Sequence, residues 1–220
     1  MRKIGLEKRE KCRKMYGTDQ GWRGKAYRIW KRCMDIACAG IACVLLFLPS
    51  LLIAVIIRMT SEGPAIYAQE RLGMDGKAFK VYKFRTMHMN AEPNGPQLAL
   101  PDDYRCTSVG AFLRRTRIDE WPQFWNVLTG DMSIVGPRPE RAYFYDQFAD
   151  TIPLFKKRLQ VKPGLTGYAQ VYGGLYLKPE EKIQYDLYYI EHSGAVMDMR
   201  CILKTVFVVT KILFCGDDHG

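Results

Sequence analysis

Ile36 to Ile57 is a run of 22 residues without a charge, IACAGIACVLLFLPSLLIAVII, and it restricts what the rest of the chain can become. As one helix it would extend roughly 33 Å, enough to cross the hydrocarbon core of a bilayer. It starts too far into the chain and is too long for a cleavable signal peptide. Pro49 lies near its middle, followed by Ser50. A proline there removes a backbone hydrogen bond and kinks the helix, and a nearby hydroxyl can satisfy the freed carbonyl. Pro49 and Ser50 are therefore the expected break. Two arrangements stay open: a tilted span with a tolerated proline, or a re-entrant helix that returns to the leaflet it entered. Asp35 and Arg58 bracket the run and share one interface only in the second.

Charge divides the chain. Of the formal +10, residues 1–35 carry +8, from twelve Lys/Arg against four Asp/Glu, which leaves +2 for the remainder. Residues 1–22 read as a basic arm. Residues 23–59 read as an interfacial and membrane helix, in which Tyr27, Arg28, Trp30, Lys31 and Arg32 mix rings with cations as a headgroup region favours. Residues 60–220 form the body. The positive-inside rule puts the arm in the cytoplasm, so a re-entrant helix keeps the body there and a span sends it outside. An anionic phospholipid surface is the expected partner of the arm. Nucleic acid is not, because so little net charge remains elsewhere. The seven cysteines are odd in number and lack C-x-x-C spacing, and the three histidines form no metal spacing, which argues against structural zinc and a disulfide framework.

The body is expected to be mixed α/β and helix-dominated. Ala65–Glu70 and Ala78–Phe84 read as a small β-hairpin turning at 73–76. Helices are expected over Ser108–Arg117, Asp119–Leu128, Ala142–Leu159 (in two pieces, broken near Pro153), Pro179–His192 and Val196–Phe214. The last is amphipathic to strongly apolar and suits either an interfacial helix or the body core.

Within the body, Arg117 to Arg141, RIDEWPQFWNVLTGDMSIVGPRPER, concentrates charge. Asp119 and Glu120 are adjacent, at the expected first turn of a helix whose start Pro122 defines. Arg114, Arg115 and Arg117 precede them, and Arg138 and Arg141 follow. Asp131 adds a carboxylate in a Gly-Asp turn. Carboxylates among arginines suit a phosphorylated, metal-bound substrate, although acids at a helix start also serve stability alone. Arg138 sits between Pro137 and Pro139, which fix its direction as a phosphate clamp requires. Lys83 and Arg85 on the hairpin join it as phosphate ligands, with Arg115 and Arg117 beside them. In VKPGLTGYAQVYGG at 161–174, Gly164, Thr166, Gly167 and Gln170 suit either close ligand approach or turn chemistry. Asp186 and Asp198 are further candidates, against a plain reading as helix-surface acids.

Four blocks in this order, KRCMD at 31–35, GPAIYAQERLGMDGKAFKVYKFRTM at 63–87, TSVGAFLRRTRIDEWPQFWNVLTGDMSIVGPRPER at 107–141 and VKPGLTGYAQVYGG at 161–174, resemble the monotopic phosphoglycosyl transferase family, also called bacterial sugar transferases. The resemblance is to the minimal catalytic form. It implies transfer of a sugar 1-phosphate from a UDP-sugar to a polyprenyl phosphate, usually undecaprenyl phosphate, giving polyprenyl-diphospho-sugar and UMP, the first membrane step of surface polysaccharide or glycoconjugate synthesis. It implies Mg²⁺ at Asp119 and Glu120, Asp119 as the nucleophile that forms a covalent phosphosugar intermediate, and Glu120 as its assistant. It also implies a re-entrant helix in the bacterial inner (cytoplasmic) membrane, amphipathic interfacial helices, and a catalytic domain, 60–220, on the cytoplasmic face. Family members break that helix at a Ser-Pro pair; here the order is Pro49-Ser50. A different class, a membrane-anchored module that binds anionic lipid or a protein, accounts for the arm and the apolar run but not for the acid–arginine centre.

Overall fold

The apolar run folds as two helices. In the computed structural model, which describes residues 24–93, 95–98, 103–148, 150–152, 154–173 and 177–215, α1 spans Lys25–Leu45 and α2 spans Phe47–Thr60, with a 59° bend between them. The basic arm, the break near Pro153, and Gly174 lie outside the described residues. Among those residues no single helix is long and apolar enough to cross a membrane; only the bent pair together meets that length and composition.

The break falls at Leu46, not at Pro49 and Ser50. A proline ring collides with the carbonyl four residues earlier and offers it no N–H. For Pro49 that carbonyl belongs to Leu45, so α1 ends there. Pro49 then occupies the first turn of α2, where its N–H would have had no helical partner anyway. The bend keeps its other backbone bonds: Leu46 N–H donates to Ala42 O and Ser50 N–H to Leu46 O, both at 2.8 Å.

The body is mixed α/β with helices dominant. Strands β1 (Ile66–Leu72) and β2 (Ala78–Phe84) pair antiparallel from Ile66↔Phe84 to Leu72↔Ala78, as expected. Their 3-10 turn at Met74–Gly76 uses left-handed backbone at Asp75 and Gly76. Helix α3 (Ser108–Arg115) is capped by Thr107, whose hydroxyl accepts from Gly110 N–H at 2.9 Å. A 3-10 turn at Ile118–Glu120 leads to α4 (Gln123–Thr129), which stops at left-handed Gly130. Strand β3 (Ser133–Val135) runs parallel to β4 (Gly164–Thr166). Between them lie α5 (Ala142–Gln147) and a 3-10 turn at Phe155–Gln160. Helices α6 (Tyr168–Tyr172), α7 (Pro179–His192) and α8 (Ala195–Cys215) follow. The main core joins Val81, Val127, Met132, Val135, Tyr189 and Cys201 to Ala39 of α1.

Polar residues of α1 bind protein, which corrects the headgroup expectation for Tyr27, Lys31 and Arg32 and the interfacial placement of Asp35. Lys31 Nζ donates to Asp198 Oδ2 (2.8 Å) and Val135 O (2.9 Å). Tyr27 and Tyr189 hydroxyls donate to the same Asp198 carboxylate, each at 2.8 Å. The Arg32 guanidinium donates to the Val127 and Leu128 carbonyls in the last turn of α4, both at 2.7 Å. Asp35, 2% exposed, accepts from Ser133 Oγ (3.0 Å) and Ile134 N–H (2.8 Å). These groups answer buried partners that water cannot reach, so each must be satisfied in place. Arg58 alone of the bracketing pair stays exposed.

Candidate active site

Asp119 and Glu120 sit on the 3-10 turn ahead of α4 rather than in its first turn. Pro122 occupies the N-cap position, so α4 begins only at Gln123. Arg117, left-handed at φ 61°, reverses the chain out of α3 and directs the dyad inward. The dipole of α4 therefore does less for these carboxylates than expected, and side-chain cations do more. Both are buried, Asp119 at 5% and Glu120 at 8% exposure. Lys83 reaches them from β2: its Nζ donates to Glu120 Oε1 at 2.8 Å and lies 3.9 Å from Asp119 Oδ2. Asn126 holds β2 in register beneath α4, its Nδ2 donating to Lys80 O (2.7 Å) and its Oδ1 accepting from Tyr82 N–H (3.1 Å).

Arg138 completes the cluster. Its Nη2 donates to Glu120 Oε1 at 2.5 Å, so one carboxylate oxygen binds two cations. The turn that carries it, 136–139, packs directly on β4. A Cβ on Gly164 would lie 2.1 Å from Gly136 N, and one on Gly167 would lie 2.1 Å from Gly136 O. Those two glycines thus seat the arginine turn, which is the use the structure makes of their missing side chains. From below, Arg158 Nη2 donates to the Arg138 carbonyl (2.7 Å), while its Nε donates to Asp186 Oδ2 (2.7 Å). Phe155 packs against that guanidinium at 4.8 Å.

The electrostatics separate the two acids. Burial raises the Asp119 pKa, with Glu120 adding to the rise and Lys83 opposing it. Burial also works against the Glu120 carboxylate, but Arg138, Lys83 and Arg117 outweigh it and hold its pKa well below the usual value. Burial lowers the Lys83 pKa, against the pull of Glu120. Asp119 Oδ1 is buried and accepts no hydrogen bond. One acid is thus fixed and satisfied, and its neighbour is held with an open oxygen.

Both carboxylates line a cavity of about 1960 Å³. Lys83, Arg85, Arg115, Arg117, Arg138, Thr166 and Gln170 line it too, so the structure gathers most of the predicted site residues in one place. Arg85 is 6% exposed; its Nη2 donates to Ser61 O and Oγ at 2.9 Å, and its Nε and Nη1 have no partner. Both amide atoms of Gln170 are likewise buried without partners. Asp131 is exposed and accepts from Thr129 Oγ1. Asp186 and Asp198, further candidates with a plain alternative as helix-surface acids, are neither on the surface nor in the cavity lining: they are 1% and 0% exposed and tied to Arg158 and Lys31.

Glu140, which no motif singles out, binds Arg71 Nη1 (3.0 Å) and Lys182 Nζ (2.7 Å) along one side of the cavity. Only its place just after the Gly-Pro-Arg-Pro turn marked it. Burial opposes its charge, but Lys182, Arg158 and Arg71 lower its pKa to about 2. A depressed carboxylate pKa stabilises the fold above the unfolded value and stops doing so as pH falls through the folded one. Glu140→Gln is expected to reduce unfolding free energy at neutral pH by about 3 kcal/mol, and the gap should close as pH drops from 4.5 to about 2. Paired thermal-unfolding scans over that range measure it; a gap that does not depend on pH would mean lost packing rather than lost charge.

A family model described as bacterial sugar transferase matches residues 26–212. A protein of Aeromonas hydrophila described as UDP-N-acetylgalactosamine-undecaprenyl-phosphate N-acetylgalactosaminephosphotransferase is 45% identical over 184 residues, which are 82% of this chain and 43% of that one. A Klebsiella pneumoniae protein described as UDP-glucose:undecaprenyl-phosphate glucose-1-phosphate transferase is 42% identical over 184 residues, 81% of this chain and 40% of that one. A Bacillus subtilis protein with the provisional description undecaprenyl-phosphate N-acetylgalactosaminyl 1-phosphate transferase is 49% identical over 133 residues, 60% of this chain and 74% of that one. The chain thus spans less than half the length of the first two relatives.

Proposed function

The chain belongs to the bacterial sugar transferase family, and we propose that it moves a sugar 1-phosphate from a UDP-sugar to a polyprenyl phosphate, releasing UMP. The observation that carries this reading is the pairing of an open, buried Asp119 oxygen with a Glu120 carboxylate neutralised by Lys83 and Arg138. The relatives' names supply the substrate class, a UDP-sugar donor and undecaprenyl phosphate as acceptor, and they differ in the sugar, which leaves the donor at the level of class.

In the proposed reaction Asp119 attacks the sugar-bearing phosphorus of the donor. An Asp119 O–P bond forms, the diphosphate P–O bond breaks, and UMP leaves with its electron pair. A phosphate oxygen of the acceptor then attacks the same phosphorus, releasing Asp119 and forming polyprenyl-diphospho-sugar. Splitting one displacement into two lets a single pocket serve both partners in turn. Lys83, Arg138 and Arg117 neutralise charge at the dyad, and Glu120 stays ionised to hold the two nearest cations in place. Mg²⁺ fits here, since it requires only one or two carboxylates beside substrate phosphate oxygens, and Asp119 offers an oxygen that nothing else occupies. Asp119 and Glu120 would hold it, and it would offset negative charge on the diphosphate.

The bent α1–α2 pair is proposed to enter and leave one leaflet, with residues 60–220 on the cytoplasmic face where UDP-sugars occur. Large apolar side chains beside the bend support this: Val44, Leu45, Phe47 and Leu48 are all at least 60% exposed. Incubating the protein with undecaprenyl phosphate, Mg²⁺ and a panel of UDP-sugars, and assaying UMP apart from UDP, tests the reaction. Lipid-dependent UMP is expected. UDP in its place would mean simple glycosyl transfer and would overturn the reading.

A further inference from the structure

The cavity that holds the dyad has an apolar side for which the chemistry above gives no use. Cys38 and Ala42 of α1 and Leu46 at the bend line it at i, i+4 and i+8, a single face that runs to the end of that helix. From α8, Ile202, Val206 and Val209 line it at i, i+4 and i+7. Cys38 and Val206 are exposed and the rest half-buried, so the two stripes are not closed against each other. The same cavity carries cations. Lys83 and Arg138 are committed to Glu120, whereas Arg85, more than nine-tenths buried, keeps two donor nitrogens, Nε and Nη1, without partners.

A cavity apolar on one side and cationic on the other matches an amphiphile with an anionic head. We propose that the stripes of α1 and α8 form the channel for the isoprenoid chain of the acceptor, and that Arg85 receives its phosphate. This rests on the proposed reaction for the identity of the lipid. It goes further in dividing the cations: Lys83 and Arg138 serve the dyad, and Arg85 serves the acceptor. Ser61, at the end of α2, fixes the Arg85 guanidinium through Nη2 and leaves the other edge for the ligand. The end of the bent helix pair and the phosphate site are thereby joined.

Cys38 provides the test in the unaltered protein. In phospholipid nanodiscs without donor, maleimide labelling of each cysteine is followed by peptide mass spectrometry. Polyprenyl phosphate at about ten times its Kd is expected to slow Cys38 labelling roughly tenfold. Cys33, exposed on α1 but not lining the cavity, should label at an unaltered rate. Arg85→Gln should weaken the Cys38 protection, and Ala42→Trp should raise the KM for a long-chain acceptor roughly tenfold relative to a two-isoprene one. Equal protection by inorganic phosphate or by added phosphatidylglycerol would overturn the assignment, as would full protection in Arg85→Gln. Protection is read without turnover, so absence of UMP release in the wild type would sink the proposed reaction without deciding the channel.

Discussion

Asp119→Asn is expected to stop UMP release while leaving the fold as stable as before or more so. Under the proposed reaction the substitution removes the atom that bonds to phosphorus, and the amide has no comparable nucleophile to replace it. Loss of such a group lowers turnover on the order of 10⁴-fold or more. Stability should move the other way. Burial and the adjacent Glu120 raise the Asp119 pKa, so at neutral pH its charged form is disfavoured in the folded state. A neutral side chain of the same shape relieves that conflict, and Asp119 Oδ1 has no hydrogen bond to lose. Lys83 keeps its 2.8 Å contact with Glu120. Active centres commonly hold such unfavourable charge in exchange for activity. Nucleotide release and thermal unfolding on the same preparation measure both effects. Near-normal turnover would remove Asp119 from the nucleophile's role, and a large drop in Tm would show that its charge is structural.

Local signals in the chain were strong where one residue decides an outcome. Pro179 with Glu180 and Glu181 marked the start of α7, and the alternating strands around residues 73–76 marked the hairpin. Pro122 showed where α4 must begin but not that the dyad would fall outside it, because the reversal depends on left-handed Arg117, a residue with no intrinsic preference for that geometry. Pro49 showed that the apolar run must bend, but the clash acts on the carbonyl four residues back, so the bend came at Leu46. The gathering of Lys83, Glu120 and Arg138 was anticipated from composition and from resemblance. What supports it was not: the partners of Arg158 are Asp186 and the Arg138 carbonyl, 28 and 20 residues away, and Lys31 meets Asp198 across 167 residues. Exposure of only 0% to 1% for those acids is a product of tertiary packing, and a carboxylate on a polar-looking helix face carries no local sign of it.

Arg138→Ala is expected to lower kcat/KM on the order of 10²–10³-fold, in the range for loss of one preorganised charge donor. Arg138→Lys should restore only part of that, since an ammonium supplies a point charge in place of a planar fork. The more specific effect is on pH. Burial by itself would raise the Glu120 pKa, and Arg138 is the largest of the influences that reverse it. Without Arg138, Lys83 and Arg117 remain, and the Glu120 pKa must climb. The acid limb of the rate profile, where it reflects an ionised Glu120, should therefore move to higher pH in Arg138→Ala. Stability follows the same sign: a depressed carboxylate pKa stabilises the fold above the unfolded value and ceases to as pH falls through the folded one. The stability gap between wild type and Arg138→Ala should thus be widest at neutral pH and shrink on acidification. The turn itself gives no reason for collapse, because Pro137, Pro139 and the Arg158 bond to the Arg138 carbonyl do not involve the side chain. An acid limb that stays in place despite a large loss of rate would assign that limb to another group and leave Arg138 acting on substrate alone.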